Sequence, residues 1–206
     1  KTLELRRDGM RKCLKEHGID LTVHYDFYDS RRVADWVEQY PAIVTWLRDR
    51  IGQPLNGWSP YGPWAYREDD VESVYHVDDR VRGFVQATGM ELTIADAIGR
   101  LRHELQKPVS IRIVGLSGVG KTRLVQALFD GRVCIESEPP SAENVIYVDL
   151  ANDPNPSPRT MLKYLLEQGS DAIVVVDNCG THDHGQLSRL ATAQGSLIKL
   201  ITIEYD

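Results

Sequence analysis

The chain has 206 residues, with 24 Lys and Arg against 30 Asp and Glu, giving a formal charge of −6. That length holds one or two domains with a sizeable core, and the acidic balance argues against a strongly basic nucleic-acid binder. At 42% hydrophobic and 26% charged residues, the composition is that of a globular protein rather than a disordered one.

No apolar run approaches the roughly 18 residues of a membrane span. No apolar segment follows Lys1-Thr2-Leu3-Glu4 to make a signal peptide. The three cysteines (Cys13, Cys134 and Cys179) are odd in number and scattered, which favours a reducing, cytoplasmic setting over a disulfide framework. A chain that starts at Lys1 and ends in a strand-like segment is expected to be a piece of a longer protein.

A helix is expected over 3–17. A strand follows over 21–27, where Leu21, Val23, Tyr25 and Phe27 alternate with other residues. Ser30 is placed to cap a helix carrying Val33, Trp36, Val37 and Tyr40 on one face, and Pro41 opens another that Gly52 ends. All four tryptophans lie between residues 36 and 64. The stretch 53–64 is turn chemistry laced with aromatics, and it reads as a linker pinned by Trp packing rather than a recognition loop. Acidic residues at 68–70 and 78–79 read as a solvated loop. The expected layout is a small α-rich region over 1–60, a linker over 61–73, and an α/β domain over 74–206.

Thr93 and Asp96 form a capping-box pattern ahead of the apolar stripe Ile94, Ile98, Leu101 and Leu105. Beyond Pro108 strands and helices alternate. Strands are expected over 110–114, 144–150, 171–177 and 197–203, and helices over 121–129, 158–168 and 185–193. Ser157 caps the second of these helices and Pro158 sits in its first turn. The run Ala172 to Val176 is apolar on both faces, as a central parallel strand requires. Such alternation predicts βαβ units.

Between the first of these strands and its helix lies Gly115-Leu116-Ser117-Gly118-Val119-Gly120-Lys121-Thr122, which satisfies G-x-x-x-x-G-K-[ST] at every fixed position. Glycines let successive backbone N–H groups converge on phosphate oxygens, and the helix start that follows favours an anion. Gly115, Ser117, Gly118, Val119, Gly120, Lys121, Thr122 and Arg123 are the expected nucleotide-binding residues. Lys121 would reach the β- and γ-phosphates. The Thr122 hydroxyl would hold Mg²⁺ together with Asp177, which ends the apolar strand. Lys121 and Asp177 are expected to serve catalysis.

Asn178 follows Asp177, and an amide cannot accept a proton at neutral pH. Glu204, His182 and His184 are the remaining candidates for a general base. Asp177-Asn178-Cys179-Gly180 fits D-x-x-G, but no N-K-x-D follows, so GTP is disfavoured. His182-Asp183-His184 reads as a solvated loop rather than a metal site. Cys179 reads as a small buried residue.

The segment Ile113 to Leu124 resembles the phosphate loop of STAND-class ATPases, the NACHT and NB-ARC relatives. The segments 174–179 and 198–206 are similar to the bacterial branch that includes AVAST-type antiphage proteins. The resemblance covers about residues 74–206. It implies an ASCE-like parallel sheet of order 1-4-3-2, with the usual fifth strand missing and the two motif strands flanking the last. It further implies ATP-driven homo-oligomerisation, a sensing region, and an effector, frequently a nuclease, elsewhere in the same full-length chain. Thr202 would sit at the polar sensor position near the γ-phosphate and so join the catalytic residues, and 75–82 would lie near adenine. Where NB-ARC relatives carry an arginine after this threonine, the present chain has Ile203 and Glu204. No Asp-x-Lys or Glu-x-Lys of a restriction-type nuclease occurs in 1–60.

The expected function is Mg-ATP (or ADP) binding with slow or conditional hydrolysis, as a switch in a larger signalling or antiviral defence protein. The expected partners are nucleotide and other domains, with neither a membrane nor direct nucleic-acid contact. The alternatives are a constitutive enzyme such as a small-molecule kinase, or an interaction module that no longer binds nucleotide.

Overall fold

The computed structural model describes residues 2–19, 28–66, 75, 78, 80–133, 135 and 137–205. The chain divides into two units, Lys1–Glu38 and Gln39–Asp206.

The first unit contains helices α1 (Thr2–Glu16) and α2 (Ser30–Val37). On α1, Asp8 pairs with Arg11 and Lys12 with Glu16, one helical turn apart on an exposed surface. The cap of α2 is Asp29, one residue before the expected Ser30, and its carboxylate accepts from the Arg32 N–H at 2.8 Å. The strand expected over 21–27 and the acidic run at 68–70 lie outside the described residues.

The second unit opens with α3 (Pro41–Arg50), β1 (Trp58–Pro60) and α4 (Tyr61–Ala65), then a hairpin of β2 (Arg82–Val85) and β3 (Met90–Thr93). Thr93 caps α5 (Ile94–Glu104), its hydroxyl accepting from the Asp96 N–H at 3.1 Å. There follow β4 (Val109–Gly115), α6 (Lys121–Leu128), β5 (Val145–Asp149), α7 (Pro158–Glu167), β6 (Ile173–Asp177), α8 (Thr181–Ala191) and β7 (Lys199–Tyr205). Ser157 caps α7 as expected, accepting from the Thr160 N–H at 3.3 Å.

The sheet order is β1-β5-β6-β7-β4. The last four strands run parallel, and β1 joins antiparallel with Trp58 opposite Val148 and Pro60 opposite Ile146. Numbered among themselves, the parallel strands give the expected order 1-4-3-2. All of β6 is buried, which is why Ile173 to Val176 carry no polar alternation. One face of the sheet packs Ile146, Val148, Leu162, Leu187 and Leu200. The other packs Tyr61, Val125, Leu128, Ile201 and Ile203. Pro60 has no N–H to donate and fits an edge strand.

The expected domain boundaries are corrected. The break falls after Glu38, and residues 39–66 belong with the sheet rather than with an upstream region and linker. Trp58 is buried, its indole N–H donating to the Pro156 carbonyl at 2.8 Å. Trp64 stacks on Tyr147 with ring centroids 4.4 Å apart. The Trp packing was therefore legible, but a three-residue strand is too short to show a period. Helix α8 begins four residues before the expected 185, with Gly180 as its cap. His182-Asp183-His184 is thus its first turn, not a loop. Gly185 inside the helix hid this.

Arg102 of α5 is 1% exposed and holds the C-terminal end of α6. Its guanidinium donates to the carbonyls of Leu128 (2.9 Å), Ala127 (3.1 Å), Asp130 (3.0 Å), Val133 (3.4 Å) and Ser137 (2.6 Å). All five donors of the guanidinium are thereby used. No helix among the described residues is long and apolar enough to cross a membrane.

Candidate functional site

The C-terminal edge of the parallel sheet carries the site. β4 ends at Gly115, and the chain arches to Gly120, which caps α6 in the left-handed region at φ 87°. Gly118 is also left-handed, at φ 78°. A β-carbon at either position would be strained, so the glycines of the motif are needed for this arch. Leu116, Ser117 and Val119 are exposed.

Lys121 is buried at the start of α6 and folds back across the arch. Its ammonium donates to the carbonyls of Gly115 at 2.5 Å and Leu116 at 2.7 Å. The Thr122 hydroxyl donates to Asp177 Oδ2 at 3.1 Å, although the two lie 55 residues apart in the chain. The carboxylate of Asp177 is itself buried. It also accepts from the Tyr147 hydroxyl at 3.3 Å and from the Asn178 N–H at 2.9 Å. The structure thus brings together Thr122 and Asp177, the two residues expected to hold Mg²⁺. Among the described residues no group of three or more His, Cys, Asp or Glu is arranged to hold a metal. The Thr122–Asp177 pair is all-oxygen, which suits a hard cation that draws its other ligands from water and phosphate.

The Arg123 guanidinium lies 4.0 Å from the centroid of the Tyr75 ring. Tyr75, the described start of the segment expected near adenine, therefore lies beside α6. Burial pushes its phenol pKa up, against the opposing pull of Arg123.

Thr202 is corrected. It is fully buried, its hydroxyl 2.8 Å from His184 Nδ1 and 3.5 Å from the Ile111 carbonyl that accepts from it. Its neighbours Ile201 and Ile203 pack with Val125 and Leu128 of α6, so strand alternation turns Thr202 to the α8 face. Placement at a γ-phosphate is not what this geometry gives. The candidate bases are engaged as well. Glu204 is ion-paired with Arg112, which also donates to the Thr181 hydroxyl at 2.7 Å. His182 bonds Gln186 at 2.7 Å, and His184 bonds Thr202. Cys179 is buried as expected, and burial pushes its thiol up to about 12, with Asp183 adding to the effect.

One residue was missed. Asp149 ends β5 and is the register partner of Asp177 on β6. Asn178, at φ 54°, donates its side-chain amide to Asp149 Oδ1 at 2.6 Å. Among the described residues, the Ala151 N–H (2.9 Å) and Asn152 Nδ2 (3.2 Å) are the other donors to this carboxylate. The only sequence signal is that two parallel strands both end in Asp. A cavity of about 610 Å³ lined by Arg159, Thr181, His182, Gln186 and Arg189 includes none of the loop residues. Comparison with protein-family models, with curated proteins and with solved structures finds no match for this chain.

Proposed function

We propose that the chain binds Mg-ATP at the glycine arch, hydrolyses it slowly or conditionally, and serves as the nucleotide switch of a larger signalling or antiviral defence protein. The observation that carries this reading is the 3.1 Å approach of the Thr122 hydroxyl to Asp177, beside a left-handed glycine arch that opens a helix. Backbone N–H groups of the arch would receive phosphate oxygens. Lys121 would exchange its two carbonyl partners for β- and γ-phosphate oxygens. Thr122 and Asp177 would hold Mg²⁺, which when bound neutralises charge on the terminal phosphates. Asn178 beside Asp177 supports slow turnover, and the missing N-K-x-D supports adenine over guanine. The switch, defence and homo-oligomer parts of the reading rest on the resemblance to STAND-class ATPases.

Thermal unfolding with Mg²⁺ plus ATP, ADP or GTP tests the reading. Nucleotide at 100 times its dissociation constant adds about 2.7 kcal/mol. A shift is expected for ATP and ADP, little for GTP, and none in Lys121→Ala. Absence of any ATP shift in the natural sequence overturns the proposal. Turnover at about 1–100 s⁻¹ would instead favour a constitutive enzyme.

A further inference from the structure

We infer that Asp149, at the end of β5, is the general base for ATP hydrolysis and that Asn178 is the residue that positions it; the inference rests on the nucleotide reading of the glycine arch. Asp149 and Asp177 are register partners at the end of adjacent parallel strands. Alternation along β5 puts Asp149 on the face of Tyr147, whose hydroxyl bonds Asp177. Both carboxylates therefore belong to the sheet edge from which Thr122 is reached. Asn178, the residue that cannot take a proton itself, grips Asp149 Oδ1 at 2.6 Å. With Ala151 N–H and Asn152 Nδ2, three donors fix the orientation of this carboxylate. An ionised carboxylate offers about four acceptor positions, so one remains for a water molecule. Asp149 is only half-buried, and solvent reaches it. Glu204, His182 and His184 are committed to partners of their own.

In the step assigned to it, the water oxygen bonds to the γ-phosphorus. The bond from that phosphorus to the β–γ bridging oxygen breaks, and its electron pair leaves on ADP. The water proton goes to the Asp149 carboxylate and from there to solvent. A positioned base of this kind is worth about 10²–10⁴ in rate.

The donors from Ala151 and Asn152 also shape the turn after β5, so the test must separate chemistry from architecture. Single-turnover phosphate release from Mg-ATP, with ATP affinity by calorimetry, would be measured for the natural sequence, Asp149→Asn, Asp149→Glu, Asn178→Ala and the double variant Asp149→Asn/Asn178→Ala. Asp149→Asn is expected to slow release about 100-fold or more while affinity stays within about threefold. Asp149→Glu should recover about a tenth of the natural rate. Asn178→Ala should lose about tenfold, and the double variant should be no slower than Asp149→Asn alone. Release by Asp149→Asn at the natural rate, or loss of its ATP affinity, overturns the assignment and leaves the nucleotide reading in place. The same holds if the natural sequence binds ATP but releases no phosphate. If it does not bind ATP, the nucleotide reading fails and the assignment with it.

Discussion

His184 lies 2.8 Å from the Thr202 hydroxyl, with Arg112 of β4 and Glu204 of β7 on the same side of the sheet. Burial, reinforced by Arg112, holds its pKa below the ordinary 6.5. The unfolded chain therefore takes up this proton first as pH falls. Stability from this group is complete above the unfolded pKa and declines as pH drops through it toward the folded value. The melting temperature should fall more between pH 7 and 5 in the natural protein than in His184→Gln, which itself costs about 1 kcal/mol at pH 7.5. Equal falls in the two proteins would overturn the point. At this scale the sequence was legible where residue type alone dictates chemistry. Gly118, Gly120, Lys121 and Thr122 could be placed because the motif fixes backbone, charge and hydroxyl together. Thr202 was misplaced because its role turns on which face of β7 meets α8, and a strand with apolar residues on both faces hides its parity. Asp149 was missed because a single strand-ending Asp is common, and its bond to Asn178 appears only once β5 lies beside β6.

Among the elements, α6 is the one that links arch to core, and it is fixed at its far end by a side chain from α5. Replacing Arg102 with Met keeps the stem but removes the guanidinium donors from four buried carbonyls and one half-buried one. The expected loss is about 3 kcal/mol or more, read as a lower denaturation midpoint. Arg102→Lys should restore little, because an ammonium has three donors for five acceptors. A loss under about 0.5 kcal/mol would show that water replaces the guanidinium without cost. Nothing in the sequence marks Arg102, which sits in an amphipathic helix like any solvated arginine. The helices and strands of 108–206 were readable within a few residues, because periods of 3.6 and 2 survive over their lengths. β1 and the β2–β3 hairpin were not, since three- and four-residue strands carry no period to read.

For the molecule as a whole, the α/β class was legible from the alternation of elements and the strand order was expected from the resemblance, but the extent of the unit was not. A chain of residues 39–206 should melt cooperatively and remain monomeric. A chain of residues 74–206 should aggregate, because removing β1, α3 and α4 uncovers the backbone edge of β5 and the aromatic face of Tyr147. Gel filtration and circular dichroism of the two distinguish these outcomes; a soluble, folded 74–206 would restore the boundary first expected. The seating of Trp58 has a further consequence. Its partner Pro156 lies 98 residues downstream. At about 5–20 residues per second on the ribosome, roughly 5–20 s separate the emergence of the tryptophan from that of the carbonyl that receives it. For that interval an indole destined for the interior lacks the carbonyl it is to bond, so its final seating waits on a segment made long after it.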